Sequence, residues 1–211
     1  LDICGGELTF YEKNLTEGSS PNPGELTKGG TFTVIAPDGL QSLTIGGLSI
    51  VSGGVVAGFP QHGTTPMGNG FTIHSYDPNT GVVTASYTLE NTSTHQSGNG
   101  ANNILESLEV VAVDTDGSTA KANVDVNIVD DVPLAVDDTN AVTATEAHLT
   151  LTGNVLDNDT QGADRIASGP ITPQTIEGTY GKLVLAADGS YTYTLNTAAP
   201  DFINLHGGGT A

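Results

Sequence analysis

Positively charged residues are almost missing from this chain. Its 211 residues include 5 lysines and arginines against 24 aspartates and glutamates, which gives a formal net charge of −19. A surface of this kind cannot neutralise phosphates, which excludes nucleic acid binding, and an anionic membrane would repel it. The acidic residues either solubilise the protein or bind cations, and we favour cation binding where they cluster.

Cysteine, tryptophan and long apolar runs are also scarce. Cys4 is the only cysteine, so no disulfide can form within the chain, and tryptophan is absent. No apolar run is long enough to span a membrane, and the chain does not start with a signal peptide. The sequence begins and ends abruptly, and we expect it to be a fragment of a longer, extracellular protein that needs a substitute for disulfides, such as bound metal.

Glycine, by contrast, is abundant, with 28 residues, and tight turns recur between short apolar runs. Apolar residues occupy every second position over 32–36, 83–89, 108–112, 122–128 and 191–195. This period is typical of strands with one buried face, and no amphipathic helix is apparent. The sequence predicts an all-β fold of antiparallel sandwiches. Polar, Gly-rich segments at 15–31 and 91–103 are predicted to be loops.

Four aspartates flank a proline near the middle of the chain, namely Asp130, Asp131, Asp137 and Asp138 around Pro133. Four carboxylates so close together repel one another unless a positive charge lies between them, and the chain has few basic side chains that could supply it. A bound hard cation such as Ca²⁺ can supply that charge. Pro133 ends the preceding strand and stiffens the connection. We therefore predict a calcium-rigidified joint between a complete β-sandwich domain, 1–131, and a second domain, 132–211.

A second acidic pair, Asp114 and Asp116, sits between two predicted strands, and alternation places both carboxylates on one side. Whether either shares an ion with Asp130 or Asp131 depends on the register of the hairpin. Glu12 is a further candidate ligand. The alternative is that Asp116 and the glycine after it form an ordinary hairpin turn.

A third acidic cluster lies in segment 154–164, where Asp157, Asp159 and Asp164 alternate with amides around a glycine. The spacing resembles a calcium loop. It does not match an EF-hand, because the ligand positions differ, no terminal glutamate follows and no helices flank the segment. The alternative is an Asx-rich turn.

Catalytic signatures are lacking, and we do not expect an enzyme. There is no G-x-S-x-G motif, and the paired carboxylates lack aromatic neighbours that would stack on sugar rings. The histidines show no H-x-x-x-H or H-E-x-x-H spacing, which argues against zinc. They are His62, His74, His95, His148 and His206.

Residues 30–133 resemble the extender repeats of large type I secreted (RTX) adhesins of Gram-negative bacteria. The resemblance is carried by GTFTVIAPDGLQSLTIGG, YDPNTGVVTASYTL and LEVVAVDTDGSTAKANVDVNIVDDVP. Residues 134–196 resemble a following repeat of the VCBS or cadherin-like kind, through AVDDTNAVTATE, GNVLDNDTQGAD and GTYGKLVLAADGSYTYTL.

This resemblance implies immunoglobulin-like sandwiches strung head to tail with calcium at the joints. It implies a monomeric segment of a giant adhesin, anchored at the bacterial outer membrane and acting in adhesion or biofilm formation, whose partners are neighbouring repeats. Asp114, Asp116 and Asp130 or Asp131 match the family's junction acids. Less direct matches are Glu12, Asp38, Asp137, Glu146, Asp157, Asp159 and Asp164. Such a second repeat should continue beyond residue 196 with further strands, so we expect the second domain to be incomplete or completed by another segment.

A ligand-binding adhesin module, recognising a glycan or a protein, is the competing interpretation. Its candidate surfaces are the polar segment Glu90–Asn103 and the Gly-rich segment Gly53–Gly70, which carries Phe59, His62 and Met67.

Overall fold

The computed structural model describes the backbone of residues 2–5 and the whole of residues 8–96, 100–165 and 168–199. The described chain is built almost entirely of β-strands, apart from short 3₁₀ helices at Glu12–Asn14 and Pro23–Glu25. The strands are β1 Asp2–Gly5, β2 Leu8–Tyr11, β3 Thr27–Ile35, β4 Leu40–Ile45, β5 Leu48–Ser52, β6 Val55–Val56, β7 Gln61–Thr64, β8 Gly70–Tyr76, β9 Val82–Thr88, β10 Asn103–Asp114, β11 Thr119–Val129, β12 Thr150–Asn154, β13 Gln174–Glu177, β14 Gly181–Leu185 and β15 Ser190–Leu195. The prediction of an all-β fold with antiparallel sheets is confirmed.

The chain divides into two compact units. The first comprises Leu1–Val132 together with Gly162–Asp164, and the second comprises Pro133–Gln161 and Arg165–Ala211. The prediction that the second repeat stops short concerns residues 200–211, which lie outside the described residues.

The first unit contains two sheets around one core. One sheet has the strand order β1-β3-β9-β8-β7 and the other the order β2-β11-β10-β4-β5-β6. Phe32, Ile73 and Val83 of the first sheet are buried in the same cluster as Leu43 and Val110 of the second. The apolar faces of the two sheets therefore pack against each other, as in a β-sandwich.

The hairpin β10–β11 shows why the sequence folds this way. Its pairing runs without a slip from Asn103 opposite Val129 to Val113 opposite Thr119. The alternating residues Val126 and Ile128 are almost wholly buried. The period-two pattern therefore gave the correct inward face of β11, because that face covers the core along the strand.

The first strands connect the two sheets. β1 pairs with β3 in one sheet, whereas β2 pairs with β11 in the other. The β2–β11 pairing is parallel, with Leu8 opposite Val126 and Tyr11 opposite Val129. The chain therefore changes sheets before residue 8, and β2 delivers Glu12 to the end of β11.

A polar group lies inside the apolar core of this unit. The side chain of Glu106 is buried and accepts hydrogen bonds from the Met67 N–H at 3.0 Å, from Asn69 Nδ2 at 3.3 Å and from the Tyr87 hydroxyl. Burial, followed by the bond to Glu106, raises the pKa of Tyr87. The carboxylate receives three donors instead of a basic partner, which makes its burial tolerable.

The predicted loop at 15–31 is only partly correct. Residues 27–31 belong to β3 and pair with β9, from Thr27 opposite Thr88 to Thr31 opposite Thr84. Gly29 and Gly30 weaken the strand signal, but ladder hydrogen bonds to a distant strand hold this backbone extended. In the segment predicted as a loop at 91–103, the described residues 91–96 and 100–102 form no strand, and β10 begins at Asn103.

The second unit contains one antiparallel sheet among its described residues, in the order β12-β15-β14-β13. Tyr191 and Tyr193 of β15 are half-buried, whereas Thr192 and Thr194 are exposed, which confirms the predicted alternation. Leu134 pairs with Thr160 in an isolated bridge, which joins the segment after Pro133 to the acidic segment 154–160.

Candidate metal-binding sites

The predicted ligands Asp114 and Asp116 lie at the turn of the β10–β11 hairpin. Asp114 Oδ1 accepts the N–H groups of Asp116 at 3.2 Å and Ser118 at 2.9 Å. Asp116 Oδ1 accepts the hydroxyl of Ser118 at 2.7 Å, and this side-chain bonding, led by Asp114 and then Ser118, lowers the pKa of Asp116. Asp38 lies in a neighbouring turn, where its carbonyl accepts the Thr115 hydroxyl at 2.7 Å. These contacts are those of a hairpin turn, the alternative that the sequence left open.

Asp130 and Asp131 lie at the other end of the same hairpin. Because the pairing of β10 and β11 is in register over its whole length, the hairpin turn and Asp130 are separated by roughly 35 Å of strand. The structure therefore does not bring Asp114 and Asp116 together with Asp130 or Asp131. Asp131 is buried, and its two carboxylate oxygens accept the N–H and the hydroxyl of Ser19 at 2.7 and 2.6 Å.

Asp130 instead belongs to a cluster with Glu12 and His95. One ligand atom from each of these side chains lies within 4.8 Å of the others, and this is the one such group of three among the described residues. Glu12 follows β2 in a 3₁₀ helix, His95 lies in the segment after β9, and Asp130 follows β11. The parallel pairing of β2 with β11 brings the two acids to the same end of the sheet.

Two of the three side chains are secluded from solvent, and Asp130 is half-buried. The side chain of Glu12 is 0% exposed and that of His95 is 3% exposed. Glu12 Oε1 accepts the Ser93 N–H at 2.6 Å and lies 3.2 Å from His95 Nε2. His95 Nε2 has no hydrogen-bond partner, and neither does Glu12 Oε2. The contact between Nε2 and Oε1 is an ion pair only when the imidazole is protonated.

The electrostatics of Glu12 reflect this burial. Desolvation raises the pKa of its carboxyl group, and the nearby negative charge of Asp164 adds to the rise. The Ser93 N–H opposes it by donating to the charged form, and His95 does so when its imidazole is protonated. A buried carboxylate with one unpartnered oxygen is costly, and a bound cation would offset that cost.

Glu12 and Asp130 were predicted as ligands from the sequence, whereas His95 was not. The search for histidine pairs at short spacing could not find it, because its partners lie far away along the chain. The only sequence signal is its place in a polar segment between two long strands.

Acidic residues of the second unit meet around a cleft of about 300 Å³. Asp138 and Asp157 line it, together with Asn154 and Asn158. Asn158 Nδ2 donates to the Asp137 carbonyl at 3.0 Å, which ties the two acidic segments together. All of these side chains offer oxygen atoms, the ligand type that Ca²⁺ prefers.

The remaining predicted ligands are more scattered. Asp159 lies beside the cleft and accepts the Val136 N–H at 2.7 Å through Oδ1. Glu146 is exposed, between the bridged residues Thr145 and His148. Asp164 is exposed and belongs to the first unit.

The Gly-rich segment predicted as a ligand surface contributes to one cleft of the first unit, through Gly54 and Val56. This cleft has a volume of about 620 Å³, lies by the turn of the β10–β11 hairpin and is also lined by Leu40, Tyr76 and Pro78 among others. Phe59, His62 and Met67 do not line it. Met67 instead donates its N–H to the buried Glu106.

Comparison with known proteins gives no assignment. No protein-family model matches the chain, and no curated protein matches it. Among the described residues, none of the helices has the length and apolar character needed to cross a membrane.

Proposed function

We propose that this chain is a structural extender segment of a large, secreted bacterial surface adhesin, and that Ca²⁺ stabilises it. In this proposal the two β units are immunoglobulin-like repeats that hold a distal binding region away from the cell, in adhesion or biofilm formation. The proposal rests on the sequence resemblance and on the strongly acidic, all-β chain.

The observation that carries the calcium part is the meeting of two acidic segments in the second unit. The bridge between Leu134 and Thr160 and the bond from Asn158 to the Asp137 carbonyl hold the segments together. Asp138 and Asp157 consequently line one cleft, and the ligand atoms that they offer there are all oxygens. Calcium takes six to eight such ligands from carboxylates, amide carbonyls, backbone carbonyls and water.

Thermal unfolding tests this proposal. We expect the melting temperature to rise when several millimolar Ca²⁺ replaces a chelator, and Mg²⁺ at the same concentration to have little effect. Extracellular modules of this kind bind Ca²⁺ at about 10⁻⁴ to 10⁻³ M, so several millimolar would add roughly 1–2.5 kcal/mol to the free energy of unfolding.

Two variants of the second unit locate the effect. Asp157→Asn should reduce the calcium-dependent rise, because it removes one carboxylate charge from the cleft. Glu177→Gln is the matched control, since it removes one charge from an exposed salt bridge with Lys182 and should leave the rise intact. If Ca²⁺ gives no rise in the unsubstituted protein, the acids are only a solvated surface, and the ligand-binding module becomes the better hypothesis.

The calcium-rigidified joint at 128–138 stays a prediction from the sequence. Small-angle X-ray scattering in Ca²⁺ and in chelator tests it directly. A scattering curve that does not change between the two conditions would contradict it.

A further inference from the structure

We infer that Glu12, His95 and Asp130 form a binding site for a divalent transition-metal ion that accepts a nitrogen ligand, with Zn²⁺ the best match. This site lies within the first unit and differs in chemistry from the oxygen-only calcium cleft of the proposed function. The inference does not depend on that function.

The orientation of His95 is fixed by its neighbours. Asn102 Nδ2 donates to the Gln96 carbonyl at 2.7 Å, so the Asn102 side-chain oxygen faces the imidazole. His95 Nδ1 lies 2.8 Å from that oxygen and must be the donor. In the neutral imidazole, Nε2 then carries a lone pair and no proton, which is the form that binds a metal.

That lone pair points at a negative group. His95 Nε2 lies 3.2 Å from Glu12 Oε1, with no hydrogen bond between them. Two buried acceptors at this distance repel each other unless something positive lies beside them. A proton on Nε2 would satisfy only the contact with Glu12 Oε1, and Glu12 Oε2 would still have no partner. A metal ion would bind the imidazole nitrogen and oxygens from both acids at once.

The geometry and the charge suit such an ion. Neighbouring ligand atoms in a tetrahedral zinc site lie about 3.4 Å apart, and the three ligand atoms here lie within 4.8 Å of one another. Two carboxylates and a neutral imidazole carry two negative charges, which match a divalent ion, and the nearby charge of Asp164 adds to the negative potential around Glu12. The imidazole nitrogen favours Zn²⁺ and its first-row neighbours, and Zn²⁺ also accepts carboxylate oxygens, whereas Ca²⁺ takes oxygen ligands alone.

Asn102 positions two of the three ligands. Its side chain holds the imidazole of His95, and its carbonyl accepts the Asp130 N–H at 2.9 Å. Metal-binding histidines commonly donate their second N–H to an oxygen in this way, which fixes the ring and its tautomer. The Ser93 N–H holds the Glu12 carboxylate in place by donating to its Oε1. The ligands are therefore oriented before any ion arrives.

Calorimetric titration of the whole chain with Zn²⁺, after treatment with a chelator and in the presence of 5 mM Ca²⁺, tests the inference. We expect one site that binds Zn²⁺ despite the excess of calcium. His95→Gln should abolish that site, and Asn102→Ala should weaken it about 10- to 100-fold through loss of orientation. His74→Gln is the matched control, because His74 is exposed and bonds only to Ser86 in the described contacts.

Two outcomes would overturn the inference. One is equal Zn²⁺ binding by the unsubstituted protein and by folded His95→Gln. The other is displacement of Zn²⁺ from the site by millimolar Ca²⁺, which would assign the site to calcium. If His95→Gln fails to fold, NMR of the unsubstituted protein decides: Zn²⁺ must shift the Nε2 resonance of His95, and an unshifted resonance refutes the site. The calcium-dependent melting of Asp157→Asn is a separate measurement, so either proposal can fail alone.

Discussion

Replacing Tyr87 by phenylalanine should destabilise the first unit by about 2 kcal/mol. The hydroxyl of Tyr87 donates to the buried carboxylate of Glu106, and the ring is 1% exposed. Phenylalanine keeps the ring and creates almost no cavity, so the lost hydrogen bond dominates. A hydrogen bond to a charged group contributes about 1.5–3 kcal/mol, and Glu106 keeps its donors from Met67 and Asn69.

The melting temperature converts this energy into a measurable shift. For a unit of roughly 130 residues, a loss of 2 kcal/mol lowers the melting temperature by about 7 °C. Far-UV circular dichroism and calorimetry at a fixed calcium concentration would record it. Tyr11→Phe is the control in the same unit, because Tyr11 is 41% exposed, and should change stability by less than about 0.5 kcal/mol.

A second substitution separates the hydrogen bond from the ring. With Glu106→Leu already in place, the further change Tyr87→Phe should cost less stability than it does in the unsubstituted protein, because the acceptor of the Tyr87 hydroxyl is already gone. If Tyr87→Phe melts within about 1 °C of the unsubstituted protein, water satisfies the carboxylate and Glu106 is not in a dry core.

Two further predictions concern turns. Gly81→Ala should lower the free energy of unfolding, measured by urea denaturation, by at least about 1–3 kcal/mol, because φ is 72° there and a Cβ would collide with the Val34 carbonyl. Gly30→Ala is the control: no atom lies within 4 Å of the added Cβ, so the free energy of unfolding should change by less than about 1 kcal/mol. Equal effects of the two substitutions would contradict the steric argument. Hydrogen bonds lower the pKa of the carboxyl groups of Asp77 and Asp188, foremost a bond from a backbone N–H to Asp77 and one from a serine hydroxyl to Asp188. The stability that these ionised carboxylates contribute is therefore present above the ordinary aspartate pKa and is lost as the pH falls through their lowered pKa values. Carboxyl NMR titration checks this, and a midpoint at or above the ordinary aspartate value for either residue would show that its turn hydrogen bonds do not persist in solution.

The sequence predicted what is local in this fold. Alternation identified the buried faces at Val110, Val126 and Ile128 because a strand that covers a core repeats every two residues. The turn at Asp116, which the sequence offered as the alternative to a metal site, forms for an equally local reason, the bonding of an Asx side chain to the backbone that follows it.

What depends on distant pairing could not be predicted. The glycines of β3 were taken for a loop because their partner strand β9 lies far along the chain. The register of the β10–β11 hairpin, which places Asp114 and Asp130 at opposite ends, was likewise not determined by pattern. His95 joins Glu12 and Asp130 only after three separate segments have met at one end of the sheet.

The parallel pairing of β2 with β11 has a mechanical consequence. These strands are an early and the last strand of the first unit, and they run in the same direction through four residue pairs. Tension applied at the ends of such a pair pulls the strands past each other along their length. All of its hydrogen bonds are then loaded together in shear, instead of opening one after another as in a zipper. This arrangement resists a steady pull better than a hairpin that is loaded at its open end.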